Sequence, residues 1–439
     1  MSTGIVDAFP YVQSYWMMNQ PTDASPALTG VHDTDVVVVG GGFAGLSTAL
    51  GLVDRQPDLR VTIVEARHVG YGASGRNGGH ILNLPPAGWL LEDLSKPENL
   101  ENVHLALEMA GAQVRTLRDR LASEGLDAEF TTSAVAVVAR NPFQVAGIRW
   151  FGELLASVGI DAPFYERDAA QAHVGFPAKA VLAIPTTNIQ PYKLARALRT
   201  LVLSRGVTFF EDTPVTRIES TGNGVTVTTS QGGVQARRAV LTTNAYIRQN
   251  NVSLDVPLPK TKILHTYLMA TEPLSDDELQ RISPSGEGFG DAALSFFYGR
   301  VHDRRLLFGG LDRSSDNTLE DDRREASFRK LHREMLSRFP FLADRRLDAV
   351  WGGAVQETHD TAPIIRRVKS QPNLILNMGF GGNSGVNGTL FSGRLVPSLV
   401  LDDHDDPDAR RVLSLLENGR IPWMGVARAG AGVLGALFR

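Results

Sequence analysis

The chain has 439 residues, 43% of them hydrophobic and 21% charged, and a formal net charge of −4. That is the composition of an ordinary globular protein long enough for two domains, and the charge is too small to argue for a nucleic acid or an anionic membrane as partner. There is no cysteine, which excludes disulfides, thiolate metal sites, cysteine nucleophiles and attachment of a cofactor through sulfur.

Residues 1–33 are polar and turn-rich, with Ser14-Tyr15-Trp16 as an aromatic cluster, and read as a lead-in arm. They lack a basic segment followed by an apolar run, so no signal peptide is expected. No run of roughly 18 apolar residues occurs, so no transmembrane helix is expected and a cytoplasmic enzyme is the default. Residues 35–39, an aspartate and four valines, read as a buried parallel strand. Gly40, Gly42 and Gly45 then spell G-x-G-x-x-G around Phe43 and Ala44. Residues 46–53 continue at helical spacing and 60–64 form a second buried strand. Glu65 stands 20 positions after Gly45 and is followed by Ala66 and Arg67.

This is a complete βαβ dinucleotide fingerprint. Gly40 permits the tight turn, Gly42 lets backbone approach a pyrophosphate, and Gly45 lets helix and strand pack closely. The helix N-terminus offers free N–H groups and a positive dipole end, and Glu65 can accept from a ribose diol. FAD and NAD(P) both remain open at this point.

A glycine-dense loop follows, with Gly72-Ala73-Ser74-Gly75-Arg76-Asn77-Gly78-Gly79 at its centre. Ser74 and the glycine N–H groups can form an anion nest. Helices are expected over 97–122, 145–159 and 192–204, the last after Gln190-Pro191, with strands over 130–139 and 180–188. Strands over 207–211, 215–219, 224–229 and 238–242 lead to Thr243-Asn244-Ala245-Tyr246. A new strand group covers 263–270, 291–298 and 305–310. A charged helix over 321–339, strands over 347–353, 362–365 and 374–378, and a helix over 389–401 complete the body. The loop before that last helix carries Gly381, Gly382, Asn383, Ser384 and Gly385, whose backbone donors or capping side chains mark a second helix-end site. The apolar tail 425–438 is expected to dock on its own protein, with a membrane-surface contact as the alternative.

The order of these signals implies an α/β fold of two interleaved domains with the active site between them. A Rossmann-like nucleotide-binding domain takes 1–95, 180–250 and 348–408. A mixed-sheet substrate domain takes 96–179 and 251–347, and 409–439 forms a tail.

These motifs together resemble the D-amino-acid oxidase/glycine oxidase superfamily of flavoenzymes, and within it the bacterial gamma-glutamylputrescine oxidases. The resemblance rests on the fingerprint with Glu65, the ASGRNGG loop, Pro191, Val215, Thr243-Asn244, Tyr298-Gly299-Arg300, Trp351-x-Gly353 and the last glycine-rich loop. It implies a non-covalent FAD against the ASGRNGG loop, where Arg76 would meet phosphate or the ring edge and Asn77 a ring heteroatom. Val215 would lie on the adenine side, and Thr243, Asn244 and Gly353 near the cofactor. It further implies oxidation of a C–N bond, with hydride passing to flavin N5, hydrolysis of the imine and dioxygen yielding hydrogen peroxide. No metal is expected. The last loop lacks the family's histidine, and Asn188 and Gln190 stand where relatives carry histidines, so the substrate is expected to differ from gamma-glutamylputrescine while remaining an amine, a polyamine-related compound or an amino acid.

Candidate substrate contacts are His265 and Tyr267, which alternate on one face of an expected strand, with Phe297, Tyr298, Arg300 and Trp351. Arg300 could bind a carboxylate bidentately, an exposed ion pair being the competing assignment. Lys260 and Lys262 are candidates for promoting oxygen reactivity, against a role as solvated strand ends. His80 is a candidate for a histidyl–flavin link, against the non-covalent habit of relatives. The competing functions are a quinone-linked dehydrogenase at a membrane surface, a nicotinamide-dependent dehydrogenase and a non-catalytic flavin-binding protein.

Overall fold

The structure is a computed structural model. It describes residues 12–418 except 22, 87, 88, 90–93, 95, 250, 251, 293–296, 315–323, 382–384, 403 and 404. Among the described residues the strands form two nine-stranded sheets.

The first sheet carries a parallel core in the order Thr208–Phe210, Val61–Val64, Gly30–Val39, Gly232–Leu241 and Gln371–Met378. Its centre is apolar on both faces, as covered parallel sheets require: Val36 to Val39 are buried without exception. Gly232–Leu241 divides its free edge. Its first half pairs antiparallel with Gly224–Thr229, and its last three residues pair with Gln371–Met378. Val215–Thr221 and Ser253–Leu254 extend the antiparallel arm, and Ile364–Val368 closes the other end. The helices Phe43–Arg55, Pro191–Ser204 and Gly385–Val400 bury their apolar faces in the core cluster on one side of this sheet.

The second sheet runs Leu347–Glu357, Lys262–Thr271, Arg305–Ser314, Phe297–His302, Gly288–Asp291, Thr131–Ala139, Ala180–Asn188 and His80–Leu82, with Phe164–Glu166 also paired to Ala180–Asn188. Its outer face packs on the helix Arg324–Arg338, where Phe328, Leu331 and Met335 meet Tyr267 and Phe308.

The expected single strand over 291–298 is two strands, Gly288–Asp291 and Phe297–His302, which pair antiparallel as Phe289↔Gly299 and Gly290↔Tyr298. The segments Ala180–Asn188 and Leu347–Glu357, expected with the nucleotide-binding domain, hydrogen-bond within the second sheet. Which sheet takes each segment is decided by pairing with strands remote in sequence, which neither local pattern specifies. Asp276–Ile282 is an additional helix, closed by a capping box between Ser275 and Glu278. The expected tail begins as a folded helix, Pro407–Asn418, which buries Ala409, Val412 and Leu416 in the main core. The apolar stretch 425–438 lies outside the described residues. No helix among the described residues is long and apolar enough to cross a membrane.

Candidate cofactor and substrate cleft

One cleft runs from the glycine turn of the first sheet to the inner face of the second. At its nucleotide end Gly40 turns the chain with φ +116°, and a Cβ on Gly45 would lie 1.9 Å from the Gly40 carbonyl oxygen. No other residue fits at Gly45. Thr242 ties the turn by donating from Oγ1 to the carbonyls of Val39 at 2.8 Å and Gly40 at 3.1 Å. Glu65 accepts from the Gly41 N–H at 2.6 Å and the Arg67 N–H at 3.0 Å. Burial pushes its carboxyl up, against the lowering effect of those two donors. Ala66, Arg67, Thr213 and Val215 line this end.

The helix Phe43–Arg55 opens at Gly42 with no side-chain cap of its own and no acidic residue in its first turn. Its Phe43 N–H donates instead to Ser74 Oγ, 2.9 Å away, on the following glycine loop. A helix end with free donors and a neutral hydroxyl beside it is a site for an anion.

The loop is knotted internally and buckled from behind. Asn77 Nδ2 donates to the carbonyls of Ala73 at 3.1 Å and Ser74 at 2.9 Å, while its Oδ1 accepts from the Gly79 N–H at 2.9 Å. The Asn77 side chain is thereby spent on shaping the loop rather than free for a ring heteroatom. Arg76 donates to the carbonyls of Tyr71 at 2.8 Å and Gly352 at 2.9 Å, so those donors join the loop to the second sheet rather than reach for phosphate. The Trp351 indole donates to the Arg76 carbonyl at 2.9 Å and the Trp16 indole to the Asn77 carbonyl at 2.7 Å. Arg300 donates to the carbonyls of Gly79 at 2.8 Å and Ile189 at 2.9 Å, under the Trp16 ring. Burial lowers the Arg300 pKa to about 10. Gly75 and Gly79 pack backward, against Met17 and Arg300, while Gly72, Ala73, Ser74, Arg76, Asn77 and Gly78 line the cleft.

Five expected substrate contacts are therefore corrected. Arg300 and Trp351 stand on the inner face of the second sheet but beneath the loop, which takes their donors. His265 and Tyr267 share a face, as alternation requires, but it is the outer one: Tyr267 meets Phe328 edge-on at 5.4 Å. Their neighbours Leu264 and Thr266 line the cleft. Phe297 likewise faces outward, stacked on Phe308 at 5.9 Å, and Tyr298 faces the cleft. Gln190 caps its helix by accepting from the Lys193 N–H at 2.7 Å and holds the Trp16 carbonyl at 2.8 Å, away from the cleft. Lys260 and Lys262 are exposed.

Thr243 lines the cleft, and Asn244, with φ +49°, accepts the Gly379 N–H at 2.9 Å and so fixes the start of the last glycine loop. Gly353, Gly381 and Gly385 line the cleft as expected, whereas Gly382, Asn383 and Ser384 lie outside the described residues. Contacts absent from the expected set include Thr213, Leu82, Val135, Val355 and Glu357. The last two were readable: they follow Gly353 at period two along its strand. Leu82 and Val135 carried no such signal.

The DAO family, described as FAD dependent oxidoreductase, matches residues 35–398. The chain belongs to this family. A probable oxidoreductase OrdL of Haemophilus influenzae is 28% identical over 94% of this chain and 92% of its own length. The gamma-glutamylputrescine oxidoreductase of Escherichia coli K12 is 28% identical over 85% of both chains. In fold, the chain is similar to glycine oxidase from Geobacillus kaustophilus, with TM-score 0.71, 19% identity and coverage of 85% and 96%. The protein is thus an FAD-dependent oxidoreductase.

The residues present fit FAD. The uncapped donors at Phe43–Arg55 suit its pyrophosphate, and Glu65 is oriented by two backbone donors at the ribose distance along the fingerprint. Two buried hydroxyls bordering the cleft, Thr243 Oγ1 and Thr266 Oγ1, have no hydrogen-bond partner among the described residues.

Proposed function

We propose that this flavoenzyme oxidises the carbon next to nitrogen in an amine or amino acid, the resulting imine being hydrolysed to a carbonyl compound and an amine or ammonia. The observation that carries the reading is the continuity of the cleft. It starts at a dinucleotide fingerprint and ends on a largely apolar sheet wall built from Leu82, Val135, Leu264, Tyr298 and Val355. Bound FAD would supply the two-electron acceptor for this oxidation, with dioxygen as the final oxidant and hydrogen peroxide as its product.

In this reading Glu65 holds the ribose, the Gly40–Ala44 turn and Ser74 hold the pyrophosphate, and Ala66, Arg67 and Val215 border the adenine. Gly72, Ala73, Gly78, Thr243, Gly353, Gly381 and Gly385 border the rest of the cofactor. The first sheet serves as the cofactor half and the inner face of the second as the substrate half. An apolar wall favours the neutral amine, the form that can release hydride, by penalising the ammonium. No dedicated base is then needed, and rate comes from holding the reacting carbon in place. A gamma-glutamyl amine or another polyamine-related compound is the first substrate to try, on the strength of the Escherichia coli relative.

The purified protein is expected to absorb near ~450 nm. Anaerobic mixing with gamma-glutamyl amines, polyamines, N-methyl amino acids and D- and L-amino acids should bleach that band for one class, and air should restore it with release of peroxide. Restoration only by a dye or quinone would make the enzyme a dehydrogenase. A band that no amine or amino acid bleaches would end the proposal.

A further inference from the structure

His80 follows the flavin loop directly and lines the cleft from the edge of the second sheet. Its imidazole is held on three sides. Nδ1 lies 2.8 Å from Asn188 Oδ1, the side chain of its cross-strand partner. A Cβ on Gly288 would come within 2.7 Å of Cε1, so the absence of one there is what admits the ring. Gly78 borders Cδ2, a Cβ there falling 3.7 Å away. With the Asn188 carbonyl accepting, Nδ1 carries the proton and Nε2 presents a lone pair. Nε2 has no hydrogen bond to the described residues; it lies beside Gly288, where a Cβ would fall 3.2 Å away, and belongs to a residue that lines the cleft.

The setting also keeps this imidazole neutral. Burial lowers its pKa to about 3, with the Arg300 guanidinium acting in the same direction. A residue that does not change charge near neutrality is a poor general base but a constant hydrogen-bond acceptor. Around it the wall is Leu82, Val135 and Tyr298, which accept carbon rather than charge.

We propose that His80 Nε2, fixed as an acceptor by Asn188, receives a hydrogen bond from an N–H of the substrate's reacting amine and so orients the carbon to be oxidised. The proposal rests on the amine-oxidation reading. It favours primary and secondary amines, since a tertiary amine has no N–H to give when neutral. Asn188 is then a positioning residue that acts through His80.

The test takes the best bleaching amine together with its N-methyl and N,N-dimethyl derivatives. Anaerobic flavin reduction gives a half-saturating concentration and a limiting rate for each. In the wild-type protein the second methylation should raise the half-saturating concentration roughly three- to tenfold beyond the first, the value of one net hydrogen bond. His80→Leu should abolish that second step while retaining flavin absorbance, and His80→Gln, which keeps an acceptor, should restore most of it. Asn188→Leu, which leaves the imidazole but frees its tautomer, should give an intermediate step and serves if His80→Leu does not fold. A second step unchanged in His80→Leu or in Asn188→Leu overturns the proposal while leaving amine oxidation intact. Failure of every amine to bleach wild-type flavin overturns both.

Discussion

The two ends of the cleft are built by different means. The nucleotide end is built around backbone from a short stretch of chain, the Gly40 turn and the start of the helix Phe43–Arg55, with the Glu65 and Ser74 side chains bound to its Gly41 and Phe43 N–H groups. The substrate end is made of side chains from strands far apart in sequence, such as His80, Val135, Thr266 and Val355. A backbone site tolerates no added atom but is indifferent to most side chains nearby. A side-chain wall can be repainted one residue at a time. Glycine spacing therefore marks a dinucleotide site, while in the proposed reading the substrate is met by residues that obey no common spacing.

The contrast predicts the largest loss at Gly45. Gly45→Ala places a methyl 1.9 Å from the Gly40 oxygen, and backbone cannot swing away as a side chain would. We expect roughly 3 kcal/mol of destabilisation and a flavin-to-protein ratio near zero, read by thermal unfolding and absorbance. A stable, yellow Gly45→Ala protein would mean that the turn is softer than a backbone site should be.

Arg300 comes next, because it lies between the two ends. It joins the loop at Gly79 to the Ile189 carbonyl and does not itself line the cleft. Arg300→Met should cost about 2 kcal/mol, chiefly by leaving the Ile189 carbonyl without its donor. It should weaken substrates with and without a carboxylate to the same degree. A selective loss for the carboxylate-bearing amine would return Arg300 to the substrate wall.

A smaller effect comes from His80 through pH. A free histidine titrates near 6.5, and in the fold the value is lowered to about 3. Between those values the unfolded chain binds a proton that the folded chain refuses, so stability is full above pH 6.5 and falls as pH drops through the window. These values give at most about 1 kcal/mol between pH 6.5 and 5.5, and less because the ring is only half-buried. Unfolding curves of wild type and His80→Gln should converge as pH falls; parallel curves would mean that the imidazole is protonated in the fold.

The sequence resolved the two ends unequally for the same reason. Gly40, Gly42, Gly45 and Glu65 act through neighbours in the chain, so their spacing carries their geometry. The ASGRNGG loop was legible as part of the cleft, but not that Asn77 and Arg76 would use polar atoms to hold it, since their partners include Gly352, which is remote in sequence. Alternation correctly paired His265 with Tyr267. It could not say which face the helix Arg324–Arg338 would cover. Both faces of that strand carry bulky apolar groups, Leu264 and Leu268 on one, Tyr267 and Met269 on the other.

That ambiguity gives the smallest and sharpest prediction. Thr266 and Tyr267 are consecutive, and the pleat sends them to opposite faces. Tyr267 packs on Phe328 in the outer core, so Tyr267→Phe keeps the packing surface and should leave substrate half-saturation within about twofold of wild type. Thr266 pairs across the strands with Gly353 on the cleft face, and its hydroxyl has no partner among the described residues. Thr266→Val keeps its shape and removes that hydroxyl, so the empty protein should lose no stability. If the hydroxyl meets cofactor or substrate, Thr266→Val should weaken binding roughly three- to tenfold, read as flavin dissociation and amine half-saturation. The opposite ranking, with Tyr267 sensitive and Thr266 silent, would turn the strand over and restore the outer face as the substrate wall.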